Sequence, residues 1–172
     1  FYGLGWQALS AAVFGSLLLG IAVTDARRYI IPDEFSLGGL VLGLALSFAP
    51  GDRLFSSVLQ DYPGPLQALV GAALGFGVMY GVAVVGEWAF KKPALGGGDI
   101  KMMAMVGAFL GPVGTLLTVF VGSAVGAVIF GPVGLKTGKL VPFGVFLALG
   151  AGIVLIWGDA LVGWYTTHML GL

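Results

Sequence analysis

Two aspartates at the ends of apolar stretches are the residues of this chain best suited to chemistry. Asp99 closes Gly96-Gly97-Gly98-Asp99, with Lys101 two positions on, and Asp25 lies in Thr24-Asp25-Ala26-Arg27-Arg28-Tyr29-Ile30-Ile31-Pro32-Asp33. An ionised carboxylate is expensive at a membrane boundary, which makes each position a candidate working site. Two neighbouring carboxylates in a low-dielectric site cannot both ionise cheaply, so one keeps a proton while the other can take one from water. This is aspartic-peptidase chemistry. The ionised acid acts as general base on a water; the protonated acid polarises the scissile carbonyl and later passes a proton to the leaving amine. No metal and no cofactor is required.

Each acid also has a plainer reading. Asp25 alone fits a helix-end acid paired with Arg28 or Arg27, and Asp99 alone fits a helix N-cap. Asp33 and Glu34 follow Pro32 and are placed to lead or cap a helix, although Asp33 is the chief rival to Asp25 for a catalytic role. Glu87, about a turn from the end of a long apolar run, is expected to pair with Lys91 at i+4 or to edge the active cavity. Lys101 is expected to snorkel to the interface or to hold its loop. Gly96, Gly97 and Gly98 are expected to leave room for a substrate backbone and to permit positive φ where the chain turns into the next helix.

The elements positioning these residues are membrane helices. Of the 172 residues, 58% are hydrophobic and only 9% charged, with a mean hydropathy of +1.03; soluble domains carry roughly 25% charged residues. The 31 glycines suit membrane helices that approach closely. The expected class is all-α, a polytopic membrane protein of about six transmembrane helices in one domain, over residues 6–24, 36–50, 66–90, 100–112, 113–130 and 141–158. Residues 36–50 are short and must borrow length from 30–35 or thin the bilayer. Residues 100–110 are too short to span alone, so that helix is expected to extend through Gly111-Pro112 or to be partly surrounded by protein.

Seven of the eight Lys and Arg residues fall in or beside three alternate connections, leaving Arg53 elsewhere. Short cytoplasmic loops retain positive charge. With six spans, both termini lie outside and Asp25 and Asp99 share the cytoplasmic face, although 74 positions separate them. Asp52, Asp61 and Asp159 fall on the opposite side. Glycine pairs at 39/43, 71/75, 77/81, 107/111 and 122/126 are expected at close helix contacts.

Eight basic residues balance eight acidic ones, so bulk charge points to no nucleic acid. The chain has no cysteine and one histidine, which excludes disulfides and thiolate chemistry and argues against a multi-histidine metal site. Its opening, Phe1-Tyr2-Gly3-Leu4-Gly5-Trp6, lacks an initiator Met and a basic segment. It does not read as a signal peptide, and an internal start is expected.

Three segments together resemble the peptidase domain of type IV prepilin peptidases: residues 24–33, Gly96-Gly97-Gly98-Asp99-Ile100-Lys101, and Val141-Pro142-Phe143-Gly144-Val145-Phe146-Leu147-Ala148-Leu149-Gly150. The resemblance covers nearly the whole chain. It implies a GxGD intramembrane aspartic peptidase of the bacterial cytoplasmic (inner) membrane, serving type IV pili or type II secretion. Such enzymes remove the basic leader of prepilins and pseudopilins, cutting after a glycine and before a hydrophobic residue. The family's catalytic aspartates map onto Asp25 and Asp99, with Arg28, Pro32 and Asp33 in the supporting motif. The implied partners are prepilins, pseudopilins and membrane lipid; a homodimer is compatible. Long members carry an amino-terminal domain with paired CxxC motifs, associated with S-adenosylmethionine-dependent methylation. This chain contains no such domain, so the resemblance implies a peptidase, with methylation left to a domain outside these residues. The alternative is a small transporter or assembly scaffold whose acids form a proton relay or ion pairs.

Overall fold

A computed structural model describes residues 5–49, 54, 64–91, 95–137 and 142–170. Among these residues five α-helices follow one another: α1 (Trp6–Arg28), α2 (Asp33–Leu46), α3 (Gly64–Phe90), α4 (Gly97–Thr137) and α5 (Phe143–Tyr165), with a π-turn over Thr166–Leu170. Among the described residues there is no strand, so the fold is all-α. Helices α1, α3, α4 and α5 contain stretches long and apolar enough to cross a membrane. The α2 helix has 14 residues, about 21 Å of rise against a hydrocarbon core of about 30 Å.

Local chemistry sets the helix limits. Tyr29 ends α1 in the left-handed conformation (φ 54°) and donates its N–H to the Asp25 carbonyl at 2.9 Å. Arg27 and Arg28 occupy the last turn, where cations suit the helix dipole. Pro32, with φ −63° and ψ 142°, is the N-cap of α2. Its ring disfavours helix at Ile31, so α2 takes only residues 33–35 from the preceding stretch.

The fourth and fifth predicted spans form one assigned helix, broken at Gly111 (φ 69°, ψ −176°). That conformation is essentially restricted to glycine, and Pro112 has no N–H to continue the ladder. Thr115 Oγ1 donates to the Gly111 carbonyl at 2.6 Å, and Thr118 Oγ1 to the Gly114 carbonyl at 2.8 Å. The helix before the break therefore does not run straight through Gly111-Pro112. It starts earlier than expected, at Gly97, and residues 102–110 are all buried. Packed against α2, α3 and α5, α4 carries the centre of the protein.

The core gathers Phe14, Leu18 and Ile21 of α1 with Met102, Met105, Val106 and Leu110 of α4 and Leu147 and Val154 of α5. Phe14 stacks on Phe109 with ring centroids 4.7 Å apart. Close approach depends on glycine. A Cβ on Gly71 would strike the Gly107 carbonyl, and one on Gly75 the Met103 carbonyl. Gly39 and Gly43 lie against Met105 and Phe109, and Gly122 and Gly126 against Phe146. The pair Gly77 and Gly81 is different: nothing lies within 4 Å of a Cβ on either. Their i, i+4 spacing matches the other pairs, but this stripe faces away from the neighbouring helices.

Candidate active site

The α1 helix buries Ser10, Phe14, Leu18, Ile21 and Asp25, an i, i+3/i+4 stripe that ends in the acid. Asp25 therefore points into the bundle, while Arg27 and Arg28 are exposed. This corrects the reading of Asp25 as a solvent-facing partner of the arginines. Its acceptors are met elsewhere: the Val145 amide donates to Asp25 Oδ2 at 3.0 Å, and the Gly144 amide also bonds the carboxylate. Both belong to the first turn of α5, whose N-cap, Pro142, supplies no side-chain cap. Helix starts leave such amides without intrahelical acceptors. A carboxylate from α1 thus caps α5.

Asp99 is the third residue of α4, in its first turn rather than before it. The Gly96 amide bonds its carboxylate, the side-chain half of a capping box, and the Gly96 carbonyl accepts the Asp99 amide at 3.1 Å. Asp99 Oδ1 is buried and has no hydrogen-bond donor among the described residues. Asp25 and Asp99 are 6% and 9% exposed, which separates them from the surface acids.

The two carboxylates converge over Gly144. A Cβ built there would lie 2.8 Å from Asp25 Oδ2 and 3.1 Å from Asp99 Oδ1, so these oxygens are at most about 6 Å apart. The Ile31 Cδ1 methyl lies 2.8 Å from the same point. Two carboxylate oxygens at this range can address a single water or carbonyl between them, one as base and one as acid.

The other candidates fall around the pair. Lys101 Nζ contacts Asp33 Oδ1 at 2.7 Å and Oδ2 at 2.9 Å, tying the start of α4 to the start of α2. Lys101, expected to snorkel to the interface or to hold its own loop, here joins two helices and occupies Asp33 outside the carboxylate pair. Pro32 caps α2 without touching either acid through a side-chain bond. Glu87 is exposed, and its expected ion pair with Lys91 is not formed among the described residues. Lys91 has left the helix in the left-handed conformation (φ 53°), and i, i+4 side chains face one another only while both residues are helical.

The glycines before Asp99 act differently from expectation. Gly111 is the only positive-φ glycine among the described residues. A Cβ on Gly98 would lie 2.9 Å from the Ile31 Cβ, one on Gly96 would lie 3.2 Å from Asp99 Oδ2, and one on Gly97 would meet nothing within 4 Å. Only Gly97 therefore leaves open room. Gly98 is small so that Ile31 can pack beside the acids. Sequence reasoning missed Ile31, Gly144 and Val145; for the last two the available signal was a glycine two positions after Pro142 at the start of an apolar helix. Arg53, Asp52, Asp61, Lys92, Lys139 and Val141 lie outside the described residues. Among the described residues no group of three or more His, Cys, Asp or Glu side chains is placed to hold a metal ion.

Two buried acids brought together from two membrane-type helices make a candidate acid–base site, and comparison with known proteins says which family the chain belongs to. Residues 12–131 match the type IV leader peptidase family, and the chain belongs to that family. It is 32% identical to the prepilin leader peptidase/N-methyltransferase of Aeromonas hydrophila, over 96% of this chain and 55% of the relative. The protein of the same description from Xanthomonas campestris is 34% identical over 95% of this chain and 55% of the relative. The Bacillus subtilis relative is 32% identical over 99% and 64%. The chain thus spans between half and two thirds of the length of these relatives. No solved structure is significantly similar to it.

Proposed function

We propose that these helices form one membrane-embedded aspartic peptidase domain that removes the leader peptide of type IV prepilins and pseudopilins, with Asp25 and Asp99 as its catalytic pair. The observation carrying this reading is the convergence of two buried carboxylates, from α1 and α4, within about 6 Å beside Gly144. The ionised acid takes a proton from water as the water oxygen bonds to the scissile carbonyl carbon, and the protonated acid gives its proton to the carbonyl oxygen. Collapse of the tetrahedral intermediate breaks the C–N bond: the proton held by the first acid goes to the leaving nitrogen, and a hydroxyl proton of the intermediate returns to the second acid as the carbonyl re-forms, restoring the starting pair. Water supplies every added atom, and the acids need only exchange protons.

The orientation follows from charge. Arg27, Arg28 and Lys101 lie at the same end of the fold as the acids, and positive residues are retained in the cytoplasm. Cleavage on the inner face of the cytoplasmic membrane, with six helical segments crossing or entering the bilayer, agrees with this arrangement. An apolar groove of about 390 Å³ between α1 and α5, lined by Leu18, Leu19, Ala22, Ala148 and Ile153 among others, supports a substrate whose apolar segment stays in the membrane. Ala22 and Ala148 stand one helical turn from Asp25 and Gly144.

The deciding experiment is cleavage of a purified prepilin in detergent by the wild type, Asp25→Asn, Asp99→Asn and Asp33→Asn. Activity is expected in the wild type and Asp33→Asn and loss in the other two. Intact substrate with the wild type, or full activity in Asp25→Asn, would refute the assignment.

A further inference from the structure

Most close-contact glycines in this fold are small for packing. Gly71, Gly75 and Gly107 each oppose main-chain atoms of another helix, so a methyl group there must move a backbone. Gly144 stands in different surroundings. The three nearest atoms to its missing Cβ are Asp25 Oδ2, Ile31 Cδ1 and Asp99 Oδ1, all at the ends of side chains. A methyl group at this position would be accommodated by side-chain rotation. The groups forced to move are the two acids and the Ile31 methyl beside them.

We infer that Gly144 is a positioning residue of the proposed reaction: its bare Cα lets both carboxylates approach one point and reserves that point for an oxygen of the reactants. The inference rests on the peptidase reading and adds a residue to it. Asp99 Oδ1, buried and without a donor among the described residues, faces this position. An unpaired buried carboxylate oxygen is costly, and a water proton or a substrate donor placed between the acids satisfies it. Asp25 Oδ2 is fixed by the Val145 amide, so the main chain of α5 holds one acid while the side-chain gap of α5 admits its partner. Backbone and missing side chain of one helical turn thus set the separation of the pair. Ile31 walls the far side of the gap with its methyl and keeps the reactant toward the oxygens.

Gly144→Ala tests this against Gly163→Ala, a change on the same helix where nothing lies within 4 Å of the new Cβ. Gly144→Ala is expected to melt in detergent within a few degrees of the wild type, to lower kcat about 10²-fold through displaced acids, and to leave KM little changed. Carbon-13 NMR of aspartate-labelled protein gives a readout free of activity: the carboxyl resonances of Asp25 and Asp99 are expected to move in Gly144→Ala and to stay in Gly163→Ala. Wild-type kcat, unmoved resonances, or a collapsed melting temperature in Gly144→Ala would each overturn the inference, the last by making Gly144 a packing residue. A wild type that cleaves no prepilin while the resonances still move would sink the peptidase reading and leave the geometric assignment of Gly144 standing.

Discussion

Asp25 accepts a hydrogen bond of 3.0 Å from the amide of Val145, a residue 120 positions further along the chain. The bond joins the last buried residue of α1 to the first turn of α5, so it closes the fold and orients an acid at once. Removing the acceptor leaves amides at a buried helix start without a partner, a cost of about 1–3 kcal/mol. Asp25→Ala is therefore expected to lower the melting temperature as well as abolish cleavage. Asp25→Asn can keep the acceptor oxygen and is expected to melt close to the wild type. Thermal unfolding in detergent separates the two.

For catalysis, Asp25→Asn and Asp99→Asn are each expected to reduce kcat by at least roughly 10²–10⁴-fold, the range associated with positioned acid–base groups. The double variant should be little worse than either single one, because the acids act as a unit. Additive losses, read from prepilin cleavage rates, would indicate independent roles.

The Lys101–Asp33 pair is half-open to solvent, with side-chain exposures of 38% and 57%. Pairs of this kind contribute less than about 1 kcal/mol and weaken with salt. Asp33→Asn is expected to change stability slightly and to retain most activity. A double-mutant cycle with Lys101→Met at low and high ionic strength measures the coupling. A cleavage defect in Asp33→Asn as deep as that of Asp25→Asn would move the first catalytic role to Asp33.

Gly111 holds a backbone conformation that costs other residues about 1–3 kcal/mol, so Gly111→Ala is expected to destabilise by that amount. Gly71→Ala, which drives a methyl into the main chain of α4, should cost about 1–3 kcal/mol through overpacking. Gly77→Ala has the same sequence spacing but open surroundings. It is expected to be neutral or up to about 0.5–1 kcal/mol more stable. Denaturation in mixed micelles ranks the three, and equal destabilisation at Gly71 and Gly77 would refute the packing assigned to each.

Filling the α1–α5 groove tests the route of an apolar substrate segment. Gly152 lines this groove, and Gly152→Trp is expected to raise KM for a full prepilin while leaving kcat unchanged, the signature of lost uniform binding. A short water-soluble leader peptide spanning the cleavage site should be unaffected. Equal effects on both substrates would place the change at the acids instead.

The helices were legible along the chain because hydrophobic runs and Pro32 act within a few residues of themselves; the break at Gly111 was not, since the helix was expected to extend through Gly111-Pro112 or to be partly surrounded by protein. The two acids were legible too, since a carboxylate beside an apolar run is conspicuous wherever that run packs. The all-α class, the approximate helix limits and the family's motifs belong to this local level. Other features required partners remote in sequence. Whether Gly71 or Gly77 meets another helix depends on which face of α3 turns toward α4, and their spacing is the same in either case. The role of Gly98 became visible only against Ile31, and that of Gly144 only against two side chains from other helices. The ion pair of Lys101 went to Asp33 because α2 and α4 begin side by side, a fact of packing rather than of spacing. Composition and periodicity decide which segments become membrane helices and which residues are expensive to bury. Close approach between those helices, dictated by volume and shape over distances no local pattern encodes, decides that Asp25 and Asp99 meet.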